Sequence, residues 1–506
     1  MRSVRSRRDV VKLLLSAGAG AALTSSLGGC FEIEDQPPIQ VTKPPPGQRY
    51  QGELPNVVLV VVDDLAAEVM GENGRFPFLE TPHVARLQRE GMTFERAFVP
   101  SSVCSPSRAS ILTSTYPHTH GVRVNDVQDI VGTLPNLPEG LEAAGYDTAF
   151  IGKWHMNGKV DAPRMGFDTW VSFKGQGNYD GNNLNVNGKH VKDRGYVTDV
   201  LTRYAIDYVQ SPRLKPFFMV VSHKAAHVEF EAAKRHRRAF KDATLPEPPN
   251  AGETFEGKPE WQRRYKLCKL ERETQVACKD MEIPQSLPPQ AWNAHDAVRL
   301  EYFRTLLAVD EGVGALFEAL TNMEQLDNTV FIFTSDNGFM LGAHQLTDKR
   351  IMYEESIRVP LAVRYPKRIQ AGSKNARLVS SLDLAPTLLE LAGQPVPETM
   401  MGTSLLPLLE DGAAPWRDKL LYEYFQEQLG PGVPNILGVR TERYKYAHYP
   451  DLPNDIDELY DLETDPYELR NLIADPSYAA TLSEMQGNLQ QQLLATGYNA
   501  TQLANR

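Results

Sequence analysis

The chain has 506 residues, of which 42% are hydrophobic, enough material for a large core and a smaller second domain. Its formal net charge of −11 at pH 7 argues against binding nucleic acid or wrapping a long polyanion, so any attraction for an anion must be local. The sequence contains no internal repeat.

The first residues have the pattern of an export signal. Arg7 and Arg8 precede an apolar run of small residues, which predicts a twin-arginine (Tat) signal over residues 1–29. The Leu-Gly-Gly-Cys segment that ends at Cys30 resembles a bacterial lipobox and predicts lipidation of Cys30; cleavage by another peptidase is the alternative. No later apolar run is long enough to span a bilayer, and the Pro-rich residues 30–54 suit a tether. We therefore expect a bacterial protein exported by the Tat machinery to the periplasm or cell surface, with a lipid as its only membrane anchor.

Four short apolar runs indicate strands buried in a parallel sheet, and polar residues follow each of them. The runs span residues 57–62, 148–151, 217–221 and 329–333. The polar residues that follow include, in chain order, Asp63 and Asp64, Lys153 and His155, His223 and His227, and Asp336 and Asn337. Each cluster alone is explained as well by a turn or a structural histidine. Because ligands bind beyond the carboxyl ends of strands in open α/β sheets, four coincident clusters predict a site at that edge.

One cysteine stands at the predicted start of a helix. In the segment Cys104-Ser105-Pro106-Ser107-Arg108, Pro106 suits the first turn, where its missing N–H costs nothing, and Arg108 follows one turn on. Free backbone donors and the arginine favour an anion beside residue 104. Cys104 is therefore a candidate nucleophile, with a buried structural cysteine as the alternative.

The acidic residues predict a metal site. Four residues offer only oxygen ligands: Asp63, Asp64, Asp336 and Asn337. This set suits a hard divalent cation better than zinc, and carboxylates from distant strands tolerate the loose geometry of Ca²⁺ better than the strict octahedron of Mg²⁺. With Lys153, Lys349, Arg108 and the histidines nearby, such a pocket suits a sulfate or phosphate ester.

Together these residues resemble the formylglycine-dependent sulfatases. The shared motifs are Cys-x-Pro-x-Arg at 104–108 with Leu112-Thr113, Asp63-Asp64, Gly-Lys-x-His at 152–155, and Asp336-Asn337-Gly338 followed by Lys349. The resemblance covers nearly the whole chain from about residue 55, and Ser114 stands where the family often has glycine. Residues 173–177, 222–227 and 348–356 look closest to bacterial N-acetylglucosamine-6-sulfatase-like proteins.

The resemblance implies an alkaline-phosphatase-like α/β sandwich, with a large, mostly parallel sheet flanked by helices and a smaller C-terminal α+β domain with an antiparallel sheet. We divide the chain into a catalytic domain at 55–394, with a charged, Pro-rich insertion at 228–295, and a C-terminal subdomain at 395–506. The pattern also predicts a long amphipathic helix at 296–322 and a closing helix near 477–495.

The resemblance implies a mechanism as well. A formylglycine-generating or sulfatase-maturating enzyme would oxidise Cys104 to formylglycine, whose hydrate would join the four oxygen-donating residues around Ca²⁺ and attack sulfur, expelling a sugar alcohol. His227 or Lys349 would protonate the leaving oxygen, and His155 would then take the proton that releases sulfate. The implied roles of the others are as follows: Arg108 holds the hydrate, Lys153 bridges it to the sulfate, and His223, His344 and Arg350 contact the substrate.

Two cysteines remain without a role, Cys268 and Cys278. An oxidising compartment would allow them to pair, and two free thiols are the alternative.

The predicted activity is that of a sulfuric ester hydrolase acting on glycosaminoglycan, mucin or algal polysaccharide fragments. A phosphatase or phosphonate monoester hydrolase on the same scaffold is one alternative, although a two-zinc version would need a histidine beside Asp336. A non-catalytic lipoprotein that binds sulfated glycans is the other.

Overall fold

The structure is a computed structural model that describes residue 41 and residues 50–72, 74–130, 132–271 (backbone only for 267–271), 296–346, 348–427 and 432–499. The predictions for the signal at 1–29, for Cys30 and for the Cys268–Cys278 pair fall outside the residues or side chains so described. None of the helices in these ranges is long and apolar enough to cross a membrane.

An eleven-stranded mixed sheet forms the centre of the molecule. Its strands are β1 (Asn56–Val62), β2 (Met92–Phe98), β3 (Asp147–Lys153), β4 (Thr169–Phe173), β5 (Asp180–Val186), β6 (Lys189–Tyr196), β7 (Phe217–Ser222), β8 (Thr329–Ser335), β9 (Arg358–Arg364), β10 (Ser373–Asn375) and β11 (Val379–Ser380). Their order is β10-β2-β9-β8-β1-β7-β3-β4-β5-β6, and β11 also pairs with β2. The central strands β8, β1, β7, β3 and β4 are parallel, whereas β9 and the β5–β6 hairpin pair antiparallel with their neighbours.

The register of the central strands brings their carboxyl ends level. Val61 of β1 pairs with Ser222 of β7, and Ser222 in turn pairs with Gly152 of β3. On the other side of β1, Val62 pairs with Ser335 of β8. The polar residues that follow these strands therefore leave the sheet at one edge, as the sequence predicted.

Helices cover both faces of this sheet and also pack on a second, smaller sheet. They are α1 (Pro82–Glu90), α2 (Cys104–Thr113), α3 (Pro117–His120), α4 (Leu137–Ala143), α5 (Val197–Gln210), α6 (Glu260–Glu271), α7 (Asp296–Asn322), α8 (Glu354–Ile357), α9 (Leu384–Leu391), α10 (Leu406–Glu410) and α11 (Ala479–Ala495). The predicted helix at 296–322 is confirmed as α7, and its Phe317 stacks on Phe331 of β8 with ring centroids 4.7 Å apart. On the opposite face, Ile111 of α2 and Leu388 of α9 lie in a second apolar core.

A separate four-stranded antiparallel sheet follows towards the C-terminus. Its strands are β12 (Lys419–Tyr424), β13 (Ile436–Thr441), β14 (Tyr444–His448) and β15 (Glu458–Asp461). Met485 and Leu489 of α11 share an apolar cluster with Val439 and Leu459 of this sheet. The predicted antiparallel strands and closing helix are therefore confirmed.

Candidate active site

Cys104 is the first residue of α2, as the sequence predicted. The preceding Val103 is extended, with φ −136° and ψ 134°, and Pro106 takes a place in the first turn that needs no backbone donor. The N–H of Ser105 donates to Asn125 Oδ1 at 2.9 Å, which satisfies one of the free donors at this helix end. Every residue of α2 is buried, so the Cys104 side chain has no access to solvent.

Three carboxylates meet beyond the ends of β1 and β8. Asp63, Asp64 and Asp336 each place an oxygen within 4.8 Å of the others, and all three are buried. Asn337 donates from Nδ2 to Asp64 Oδ1 at 2.7 Å, and its Oδ1 has no hydrogen-bond partner among the residues that the structure describes. A buried, unused amide oxygen beside three carboxylates fits a hard divalent cation.

Each carboxylate also contacts a cationic side chain. Lys153 Nζ contacts Asp63, Lys349 Nζ contacts Asp64, and Arg108 Nε donates to Asp336 Oδ2 at 2.9 Å. The Cys104 sulfur lies between these pairs. Its Sγ is 3.3 Å from Asp63 Oδ1 and 2.8 Å from Lys349 Nζ.

The charges around Cys104 do not favour a thiolate. Burial raises the pKa of the Cys104 thiol well above its usual value, and the Asp63 carboxylate raises it further. The sequence predicted an anion beside residue 104 because of the helix start and Arg108. In the structure Asp336 binds the Arg108 guanidinium, and burial with the charge of Asp63 makes an unmodified Cys104 a weak nucleophile.

His155 follows β3 and lies between two polar partners. Its Nε2 is 3.1 Å from Asp126 Oδ1, and its Nδ1 is 3.3 Å from Ser105 Oγ. Burial, with the charge of Lys153, lowers the pKa of His155 to about 4, so the imidazole is neutral and can accept a proton. Sequence reasoning missed Asp126, which belongs to no motif.

The two histidines of the second predicted pair, His223 and His227, lie in different surroundings. His227 places a ring nitrogen in a group with Asp63 and Cys104 whose ligand atoms all lie within 4.8 Å of one another. His223 is buried, and no described residue forms a hydrogen bond with its Nδ1. Burial, with the charge of Arg108, lowers the pKa of His223 to about 4, so this side chain is neutral.

Arg350 follows Lys349 in the chain and is oriented by two carboxylates. Its Nε donates to Glu427 Oε1 at 2.7 Å, and its Nη1 donates to Asp348 Oδ1 at 2.6 Å. Glu427 Oε2 also accepts a hydrogen bond from the backbone N–H of Asn125 at 3.1 Å. Glu427 therefore links the C-terminal region to the loop that holds the start of α2, and no sequence motif indicated it.

His344, the third predicted substrate contact, has a different environment. Its Nδ1 lies 2.6 Å from Glu253 Oε2, and its ring stacks on Tyr353 with centroids 3.8 Å apart. These contacts place His344 in a buried cluster shared with the insertion, rather than against the three carboxylates.

Comparison with known proteins agrees with this arrangement. The Sulfatase family matches residues 55–394, and the family described as N-sulphoglucosamine sulphohydrolase, C-terminal, matches residues 342–495. An N-acetylglucosamine-6-O-sulfatase of Bacteroides thetaiotaomicron is 34% identical, with 87% of this chain and 86% of that protein covered. The human N-acetylglucosamine-6-sulfatase is 32% identical, with 89% of this chain and 85% of that protein covered.

A solved structure of a similar protein also supports membership of the sulfatase family. It is described as a complex with its substrate D-glucosamine-2-N,6-O-disulfate, is 30% identical, and superposes with a TM-score of 0.77 over 89% of this chain and 99% of that one. The predicted family and the alkaline-phosphatase-like α/β fold are thereby confirmed. The chain belongs to the sulfatase family and is a sulfuric ester hydrolase.

Proposed function

We propose that the protein removes sulfate from sulfated carbohydrates through a formylglycine formed from Cys104. The observation that carries this proposal is the position of the Cys104 side chain, buried at the head of α2 between Asp63 and Lys349. Its neutral thiol is poorly suited to attack, whereas an oxygen nucleophile at the same place would be surrounded by carboxylates and cations suited to sulfuryl transfer. The names of the relatives support a sugar sulfate as the substrate, with glucosamine 6-sulfate as the first candidate.

The metal that we propose is Ca²⁺. Its ligands are Asp63, Asp64, Asp336 and Asn337, together with the converted side chain of residue 104. When bound, the ion would neutralise charge on the nucleophile and on the sulfate oxygens.

The reaction needs one bond to form and one to break at sulfur. Conversion of Cys104 supplies a hydrated aldehyde, so that an oxygen–sulfur bond forms at residue 104 as the bond from sulfur to the sugar oxygen breaks. Of the two candidate proton donors to the leaving oxygen, we assign the role to Lys349 because it is the one that stays protonated. Although burial opposes its charge, Asp64 raises the pKa of Lys349, whereas burial and Lys153 lower the pKa of His227.

The remaining residues complete the cycle. The neutral His155 accepts the proton of the second hydroxyl, so that the carbon–oxygen bond to sulfate breaks and the aldehyde returns. Arg108 and Lys153 hold the hydrate and the sulfate, since both are buried cations directed at the cluster. Arg350 is proposed to contact the sugar, with its orientation set by Glu427.

The first test is chemical. In protein produced with a maturation enzyme, mass analysis of the peptide that contains residue 104 should show an aldehyde in place of a thiol. Cys104→Ala should abolish release of sulfate and leave the melting temperature close to that of the wild type. Substantial turnover by the purified, folded variant would contradict the nucleophile assignment.

The substrate class needs its own assay. Matched sulfate and phosphate esters of one aryl alcohol, followed by defined sulfated mono- and oligosaccharides, separate a sulfatase from a phosphatase or phosphonate monoester hydrolase. A protein that retained a thiol at residue 104 and bound sulfated glycans without releasing sulfate would instead be the non-catalytic alternative.

Removal of the metal should inactivate and destabilise the protein. A chelator leaves three buried carboxylates without the ion, so we expect loss of sulfate release and a lower melting temperature, both restored by Ca²⁺. Mg²⁺ and Zn²⁺ at the same concentration are the controls. Full activity after exhaustive chelation would contradict a metal-dependent site.

Export and anchoring stay predictions that concern residues 1–30. We propose Tat-dependent export and lipidation of Cys30, with the maturation enzyme as a partner before export. Fractionation of cells that express the wild type and Cys30→Ala tests this, because the variant should leave the membrane fraction.

A further inference from the structure

Lys224 is a buried lysine to which the proposed mechanism gives no role. It follows β7 by two residues, and its side chain is 0% exposed. Within the described part of the chain, its Nζ has no hydrogen-bond partner. Glu229 Oε2 lies 4.0 Å from this Nζ, on a side chain that is itself 48% exposed. A buried ammonium without an acceptor is costly, so its retention requires an explanation.

The surroundings of Lys224 belong to the active site. Its Nζ lies 4.9 Å from the ring centroid of Tyr179, and the Tyr179 hydroxyl donates to the carbonyl of His227 at 2.7 Å. The N–H of His227 donates to the carbonyl of Lys224 at 2.9 Å. Lys224, Tyr179 and His227 therefore form one wall, and the His227 ring approaches Cys104 and Asp63.

The charges nearby leave Lys224 available to an anion. Asp63 already contacts Lys153, and Asp64 already contacts Lys349. Burial, with the charge of Lys153, lowers the pKa of Lys224 to about 8, so the group still carries a proton at neutral pH. An oxyanion beside this wall would give the ammonium the hydrogen-bond acceptor that the protein does not provide.

We propose that Lys224 binds the substrate directly, by donating a hydrogen bond from Nζ to an oxygen of the sulfuryl group. This inference rests on the proposed function and adds a further cation to Lys153 and Lys349. It also explains the lack of an internal partner, because a strong salt bridge within the protein would compete with the sulfate.

The test compares Lys224→Met with the wild-type holoenzyme. Methionine keeps the length of the chain and removes the charge. Inorganic sulfate is the probe in calorimetric titrations, and an aryl sulfate with no other anionic group is the substrate. We expect sulfate to bind about tenfold or more weakly and the KM for the aryl sulfate to rise, since hydrogen bonds to charged groups are stronger than neutral ones. We also expect a higher melting temperature, because a buried charge without a hydrogen-bond acceptor has been removed.

Lys215→Met is the matched control. Lys215 is 62% exposed and lies 3.6 Å from Asp147, at the opposite end of β3 from the site. The Lys215→Met variant should have the same sulfate affinity, KM and melting temperature as the wild type.

Two outcomes overturn the inference. Unchanged sulfate affinity in Lys224→Met, with wild-type sulfate binding intact, would make Lys224 a packing residue on Tyr179. A larger KM only for a substrate with a second anionic group, with sulfate affinity unchanged, would also overturn it. If the wild type neither binds sulfate nor hydrolyses sulfate esters, the proposed function itself has failed.

Discussion

Asp126 lies beside the imidazole ring of His155. Its carboxylate also lies against Gly158, so a side chain at residue 158 would require this carboxylate to move. Asp126 Oδ1 is 3.1 Å from His155 Nε2, and a carboxylate this close favours one orientation of the imidazole ring. The Asp126 side chain is 37% exposed, so it lies at the edge of the site and acts through His155 rather than on the sulfate ester itself.

We expect Asp126→Asn to lower kcat roughly tenfold to a hundredfold, a part of what a positioned general base contributes, with little change in KM. Asp161→Asn is the matched control, because Asp161 forms a similar pair with His190, at 3.0 Å, on an exposed histidine. Steady-state kinetics of both variants provide the measurement. A change in KM alone would show that Asp126 acts on substrate binding and not on His155.

The site residues that could be predicted from the sequence are those that belong to short motifs. Asp63, Cys104 and Lys153 stand in patterns whose spacing is visible in the sequence, and the structure brings them together. Asp126 and Glu427 contact their partners across the fold, so only tertiary structure reveals them. His344 contacts Glu253 and Tyr353, which the sequence did not indicate, and its contact with the substrate stays a prediction.

The helix that carries Cys104 ends at a strained residue. Ser114 has φ 54° and ψ 34°, the left-handed region that glycine adopts without cost. Two hydrogen bonds of the Ser114 hydroxyl offset part of the cost of this backbone conformation. Ser114 Oγ donates to the carbonyl of Leu382 at 2.7 Å and accepts from the N–H of Gly402 at 2.9 Å.

Two variants separate these effects. Ser114→Ala loses both hydrogen bonds and keeps the strain, so we expect it to lower the free energy of unfolding by about 1–3 kcal/mol. Ser114→Gly loses the same bonds but relieves a strain of about 1–2 kcal/mol, so it should lie between the wild type and the alanine variant. Urea denaturation measures the order, and a glycine variant less stable than the alanine variant would contradict it.

Elements with strong apolar patterns were predicted best. The continuous apolar run of β1 and the long pattern of α7 appear at the expected places. The β5–β6 hairpin was not predicted, because most of β6 is exposed and its residues Lys189–Tyr196 do not alternate between apolar and polar side chains. The antiparallel pairing at the edges of the sheet was missed for the same reason.

Across the whole molecule, the C-terminal sheet is joined to the catalytic part by a buried ion pair. His118 of α3 lies 2.6 Å from Glu423 of β12, and both side chains are nearly inaccessible to solvent. Burial disfavours the imidazolium, but the hydrogen bond and charge of Glu423 outweigh burial and raise the pKa of His118 above 6.5. This pair therefore stabilises the folded state while His118 is protonated.

The sign of the pH dependence follows from that shift. Because the pKa is higher in the folded state, the stabilisation is fully present below pH 6.5 and is lost as the pH rises through the folded-state pKa. The difference in free energy of unfolding between the wild type and His118→Gln should thus be larger at low than at high pH. Urea denaturation of both proteins about one pH unit below and about two pH units above 6.5 measures this difference in free energy. His190→Gln, at an exposed pair, is the control, and a difference for His118→Gln that stays constant would contradict the assignment.

The complete burial of α2 bears on when the proposed conversion of residue 104 could take place. A converting enzyme would have to reach the Cys104 sulfur, yet the folded protein offers it no accessible atom of that residue. The proposed oxidation would therefore precede folding. A polypeptide that has already folded around the thiol could not be activated by later exposure to the maturation enzyme unless it was first unfolded.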